Sequence, residues 1–137
     1  MSLLLVRHAW AGERAAWDGD DRLRPLDERG RGQAARLVSV LAGYEVDAIL
    51  TSPYLRCVET VAPLAAARGI QPELRRELGE EEQMSAGVEL VRSLAGRPVV
   101  VCGHGGLQHA LHDPPKWKKG ATFVVDDELA VRKKLRA

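Results

Sequence analysis

Two short, uniformly apolar runs, Leu3-Leu4-Leu5-Val6 and Val99-Val100-Val101-Cys102, constrain the fold more than any other feature of the chain. Each is too short for a surface helix and lacks the alternation of a strand with one wet face. Such runs read as strands covered on both sides, the mark of a parallel sheet packed between helices. Val46 to Leu50 and Ile70 to Leu74 are weaker strand candidates, and Pro72 places the latter at an edge. Thr122 to Val125 and Leu129 to Val131 give a final pair of strands around Asp126-Asp127.

Helical patterns lie between these runs. Ala34, Leu37, Val38 and Leu41 share one face of a helix that Asp27 can cap and Gly43 can end. Ser52-Pro53 reads as N-cap and first-turn proline of a second helix, with Val58, Val61, Ala62 and Ala65 on its inner face. Pro63 predicts a kink or an early end there. Met84, Val88, Val91 and Ala95 form a third amphipathic face, stopped by Gly96, and a short helix follows around Leu107 to Leu111. Strands alternating with helices predict a parallel α/β sandwich. At 137 residues, 45% of them apolar, the chain is expected to be one domain, 1–137, with an ordinary core.

A net charge of +1 gives no field that would draw nucleic acid or a membrane surface. No stretch approaches the roughly 20 apolar residues of a membrane helix. Cys57 and Cys102 are too few and too far apart for a disulfide framework and are expected to be reduced. The expectation is a cytoplasmic protein.

Ligands of such sheets bind beyond the carboxyl ends of the strands. Arg7-His8 follows the first strand, Ser52-Pro53 and Arg56 the second, Glu80 the third, and Gly103-His104-Gly105 the fourth. Two imidazoles, two guanidiniums and a carboxyl group therefore converge on one edge. That set suits phosphoryl transfer. Arginine forks match phosphate oxygens and keep their charge. A neutral imidazole is a competent nucleophile near pH 7, and neighbouring arginines disfavour its protonation. His104 can donate to the equatorial oxygens. Beside a phosphate dianion, a carboxylic acid at Glu80 holds its proton and can protonate the leaving oxygen. Glu81 and Glu82 adjoin it and are alternatives for that role.

The ordered set Val6-Arg7-His8-Ala9, Ser52-Pro53-Tyr54-Leu55-Arg56, Leu78-Gly79-Glu80 and Val101-Cys102-Gly103-His104-Gly105 resembles the histidine phosphatase, or phosphoglycerate mutase-like, superfamily. Within it the chain is similar to small phosphohistidine phosphatases. It is closer still to the phosphatase-like C-terminal half of certain bacterial Nudix hydrolases, through Asp18-Gly19-Asp20-Asp21, Arg24-Pro25-Leu26 and Lys119-Gly120-Ala121-Thr122. The resemblance implies a three-layer α/β/α sandwich with a mixed, mostly parallel sheet. It also implies a phosphohistidine on His8, a phosphate pocket of Arg7, Arg56 and His104, and no metal or other cofactor. Many relatives carry Asn where this chain has Arg14, a cation that either serves substrate phosphate or is solvated. No cap insertion is visible, so the site is expected to be open.

The resulting reading is a metal-independent phosphatase acting on phosphate monoesters or phosphoramidates. Its partners would be a phosphorylated small molecule, a nucleotide or a phosphohistidine protein. Catalysis falls to His8, Glu80 and His104. Substrate binding falls to Arg7, Arg56, Arg14 and Ser52, the last read as a helix cap rather than a nucleophile. A zinc site from Cys102, His104, His109 and His112 fits no common ligand spacing. Lys116-Trp117-Lys118-Lys119 is either a solvated loop or a rim that could stack a base. The other class of function is a phosphate- or nucleotide-binding module with little turnover, partnering a separate Nudix enzyme.

Overall fold

A computed structural model describes residues 1–80 and 84–137. Six strands form one mixed sheet: β1 (Leu3–Arg7), β2 (Ala48–Thr51), β3 (Glu73–Leu74), β4 (Val99–Gly103), β5 (Ala121–Val125) and β6 (Val131–Arg136). Their order across the sheet is β3-β2-β4-β1-β5-β6. β1, β2, β3 and β4 run parallel, while β5 pairs antiparallel with both β1 and β6.

The two uniform runs lie side by side as β1 and β4, with Leu4 opposite Val100 and Val6 opposite Cys102. Their residues alternate between two cores. Leu3, Leu5, Val99 and Val101 pack on one side with Leu107, Phe123 and Val91 of α3 (Met84–Ser93). Leu4, Val6, Val100 and Cys102 pack on the other side against α1 (Glu28–Val40) and α2 (Leu55–Arg68), through Leu37, Cys57, Val61 and Leu64. This is the three-layer sandwich expected from the sequence. Full burial on both faces explains the absence of alternation, at about 1.5–3 kcal/mol for each large apolar side chain. No helix among the described residues is long and apolar enough to cross a membrane.

Local details depart from the sequence reading: the third helix ends at Ser93, before Ala95, and a 3-10 turn over Gly105–Ala110 stands where a short helix was expected. Asp27 does cap α1, accepting from Gly30 N at 2.8 Å, but the helix ends at Val40 with Leu41 at its C-cap, before Gly43. Pro63 neither ends nor shortens α2, which continues to Arg68. A proline removes one backbone bond, and Val61, Leu64 and Ala65 hold that helix on the sheet around it. Ser52 does not cap α2; the helix begins at Leu55 with Tyr54 as N-cap. Leu129 stands in the β5–β6 turn with φ 66°, so the last strand starts only at Val131. Asp126 closes that turn by accepting from Glu128 N and Ala130 N, both at 2.9 Å. The basic residues Arg132, Lys133 and Lys134 are all exposed on this edge strand.

Candidate active site

The parallel ladder continues one residue past its strands. His8 N donates to Gly103 O at 3.0 Å, and Ser52 N donates to Cys102 O at 2.9 Å. Those bonds fix His8 at the end of β1 and Ser52 at the end of β2, beside His104 at the end of β4. The rings of His8 and His104 lie 5.4 Å apart, edge to face. Both are buried, at 5% and 1% exposure.

His8 Nδ1 is 2.8 Å from Ala9 O. A carbonyl only accepts, so Nδ1 carries the hydrogen and Nε2 keeps its lone pair. Burial pushes the His8 pKa from its ordinary 6.5 down to about 3; His104, Arg56 and Arg7 add to that, against the Ala9 bond. The arginines act in the direction expected from sequence, but desolvation is the larger cause. Thr60 fixes the segment after His8: its hydroxyl accepts from Ala9 N at 3.0 Å and donates to Arg56 O at 2.6 Å.

His104 is oriented from behind. Ser52 Oγ accepts from Tyr54 N at 3.2 Å and lies 3.0 Å from His104 Nε2. The hydroxyl has a second lone pair and a hydrogen left for this contact, so it holds Nε2 in either tautomer. Nδ1 points to the site and lies 3.9 Å from Glu80 Oε2. Cys57 Sγ lies 3.6 Å from Nε2, and the ring of Tyr54 stands edge-on to that of His104. Cys57 and Cys102 are both free and buried.

Arg56 is the largest fully buried side chain. Its Nη2 meets Asp21 Oδ2 at 3.1 Å and Glu80 Oε1 at 2.9 Å, and its Nη1 donates to Asp21 O at 2.9 Å. Tyr54 supports the guanidinium from 4.9 Å. Arg7 donates from Nη1 to Trp117 O at 2.6 Å, and burial lowers its pKa while Glu80 opposes. Arg14 is exposed and reaches Glu80 Oε1 at 2.6 Å and Asp21 at 3.6 Å.

The structure thus brings together Arg7, His8, Arg56, Glu80 and His104, with Arg14 at the rim and Ser52 beneath His104. Glu81 and Glu82 lie outside the described residues. Asp21, Arg24 and Thr60 were missed from sequence. Arg24, 6% exposed, bonds Asp21 Oδ1 at 3.0 Å and Ala11 O at 2.6 Å, so it carries the loop that presents Asp21. The signal that could have found Asp21 is its acidic run ahead of Arg24-Pro25-Leu26.

Three buried polar atoms here have no partner among the described residues: Arg7 Nε, Arg56 Nε and His104 Nδ1. Buried donors are seldom left unpaired in folded proteins. All three belong to residues whose charge acts on His8, an arrangement that suits an oxyanion presented to a nucleophile. The other candidates do not assemble in this way. Cys102, His104, His109 and His112 form no metal-ligating group among the described residues. Trp117 is a core residue, stacked on Phe123 at 5.3 Å and donating from Nε1 to Ala121 O, so it offers no ring to a base.

A family model described as the histidine phosphatase superfamily (branch 1) matches residues 3–83. The chain belongs to that superfamily. The family, the phosphatase class and the phosphoglycerate mutase-like fold expected from the sequence agree with this match. Among curated members, an 8-oxo-(d)GTP phosphatase of Mycolicibacterium smegmatis is 37% identical over 110 residues, covering 76% of this chain and 34% of that protein. The chain therefore spans about a third of that relative's length. Among solved structures, the protein histidine phosphatase SixA complexed with tungstate superposes with a TM-score of 0.81 at 19% identity, over 99% of this chain and 97% of the other. A phosphoserine phosphatase from Entamoeba histolytica, in complex with 3-phosphoglyceric acid, gives 0.73 at 13% identity over 99% and 97%. Likeness at such identities establishes the shared fold alone.

Proposed function

We propose that the chain is a metal-independent phosphatase that hydrolyses phosphate monoesters or phosphoramidates through a phosphohistidine on His8. The observation that carries this reading is the neutral His8 imidazole. Nδ1 is held by Ala9 O, and among the described residues three buried nitrogens of its neighbours, Arg7 Nε, Arg56 Nε and His104 Nδ1, have no partner.

In the first step Nε2 of His8 attacks phosphorus as the bond to the leaving oxygen or nitrogen breaks. Glu80 protonates the leaving atom. Water then attacks the phosphohistidine, Glu80 takes its proton, and orthophosphate departs. Arg7, Arg56 and Nδ1–H of His104 hold the equatorial oxygens in both steps, where charge stabilisation supplies most of the acceleration. Arg56 can turn Nε–H to the substrate while Nη1 and Nη2 keep Asp21 and Glu80 in place. Ser52 acts on His104 and not on substrate. Arg14 steadies Glu80 from the rim. The chemistry of the donor set, guanidinium and imidazole with few carboxylates, suits an anion better than a divalent cation.

The named activities of the relatives support two substrate classes, nucleotides and phosphohistidine proteins. The test is phosphate release in EDTA from p-nitrophenyl phosphate, nucleotides, sugar phosphates and a phosphohistidine peptide, comparing wild type with His8→Ala. EDTA-resistant release that vanishes in the variant is the expected result. Phosphate binding without release from any of them would favour the binding-module reading, and loss of release in EDTA would favour a metal.

A further inference from the structure

A groove of about 480 Å³ shares Arg7 with the site. Arg7, Trp10, Arg29, Lys116, Lys119 and Arg136 line it, and no Asp or Glu side chain does so among the described residues. The chain as a whole is nearly neutral, so this concentration of charge is local.

The groove is built onto the strand end that carries the nucleophile. Gly120 N donates to both Arg7 O and His8 O, at 3.1 and 3.0 Å. Gln33, 8% exposed, ties the two walls: its Oε1 accepts from Trp10 N at 3.0 Å, and its Nε2 donates to Lys119 O at 3.1 Å. Gly120 has φ +82°, and a Cβ there would lie 2.5 Å from Gln33 Nε2. Only glycine fits that clamp.

Trp10 decides what kind of ligand the groove suits. Arg29 Cζ stands 4.3 Å from its ring centroid and Lys119 Nζ 4.5 Å. The ring is thus engaged in holding two cations at fixed places. It serves charge and not base stacking, and Trp117 is unavailable for stacking because it belongs to the core. Burial lowers the Lys119 pKa, and repulsion from Arg7, Arg24 and Arg56 adds to this, against Glu13. An anion placed between these cations relieves that repulsion.

We propose that this groove is a second anion subsite, which holds the departing chain of a phosphoanhydride substrate while His8 takes its terminal phosphoryl group. The proposal extends the phosphatase reading above and rests on it for the transfer step. Nε2 of His8 forms the N–P bond as the bridging P–O bond breaks. The bridging oxygen keeps the electron pair, accepts the proton of Glu80 and leaves on the shortened chain, held by Arg29 and Lys119. Water then breaks the N–P bond, giving orthophosphate, returning the lone pair to Nε2 and passing a proton to Glu80. The chain can belong to a nucleotide or to inorganic polyphosphate; the recognised chemistry is the same.

Binding to the His8→Ala protein separates the subsite from turnover. Calorimetry in EDTA with orthophosphate, tripolyphosphate and ADP is expected to show tripolyphosphate and ADP binding roughly tenfold or more tighter than orthophosphate, with the preference shrinking as salt rises. Adding Arg29→Ala and Lys119→Ala is expected to erase most of that preference. A preference for tripolyphosphate alone assigns the groove to inorganic chains; an equal or larger one for ADP assigns it to nucleotides. Equal binding of all three anions, or a preference that survives both substitutions, overturns the proposal. Lys119→Gln alone, checked by thermal melting, guards against a folding artefact and should lose part of the preference. The p-nitrophenyl phosphate assay on wild type tests the phosphatase reading separately, and its failure would leave the calorimetric result standing.

Discussion

His8, Ser52 and His104 each stand one residue beyond a sheet strand, whereas Arg14, Asp21 and Glu80 stand on segments outside the sheet. The first group is buried; ladder bonds hold His8 and Ser52, and the Ser52 hydroxyl holds the His104 ring. The second is partly or largely exposed and held by ion pairs to one another and to Arg56. Arg56, rooted in the first turn of α2, joins the two. A nucleophile and its oxyanion donors gain from rigid placement, because small displacements are costly in phosphoryl transfer. A general acid must loosen its ion pairs each time it takes up a proton, and screened, exposed pairs allow that at little cost. The contrast predicts that substitutions in the buried half act on rate for every substrate, and those in the loop-borne half act selectively.

The largest effect falls at the junction. Arg56→Ala is expected to lower kcat/KM by about two decades or more, roughly 3 kcal/mol of transition-state stabilisation. Undiminished kcat/KM in steady-state assays would take Arg56 out of the site and dissolve the link between the halves. Next is Glu80→Gln, which should cost about a decade on alkyl phosphates and distinctly less on p-nitrophenyl phosphate, whose leaving group needs less protonation. Equal losses on both would move the acid to Glu81 or Glu82. Ser52→Ala should lower kcat severalfold, with KM little changed and similar factors on both substrates, because it frees the His104 ring without touching substrate. A rise in KM alone would place Ser52 against the ligand.

The smallest effect is on stability and appears in acid. An unfolded His8 takes its proton near the ordinary 6.5, but the folded one resists until about 3. The unfolded state therefore binds more protons between those values, and folding stability falls as pH drops from 6.5 toward 3. By pH 5.5 the loss from this group is about 1.4 kcal/mol. His8→Gln lacks that component, so urea titrations of the two proteins at pH 7.5 and 5.5 should diverge less steeply for the variant. Identical pH dependence would mean that His8 is not held neutral.

Much of the buried half was legible in the sequence. Uniform apolar runs this short read as strands covered on both faces, and residues just past parallel strands share an edge. Glycines around His104 and the serine after β2 completed that reading. The exceptions share a cause, which is that a local signal was overruled by a distant contact. Ser52 looks like a helix cap, yet Ser52 N is drawn into the ladder and its hydroxyl to His104, 52 residues away. Pro63 looks like a helix end, yet its neighbours are fixed by the sheet. Trp117 looks like an exposed aromatic in a basic loop, yet it packs on Phe123. The loop-borne half was least legible. Asp21 acts through Arg56, 35 residues away, and no periodicity marks such a pairing.

The account turns on His8 as nucleophile, and rapid acid-free quenching of wild type with a good substrate tests this most directly. Mass spectrometry of peptides kept at alkaline pH is predicted to find a phosphoryl group on His8 during turnover in EDTA, and none in His8→Ala. Steady turnover with no phosphohistidine, or a phosphoryl group on another residue, would contradict the account.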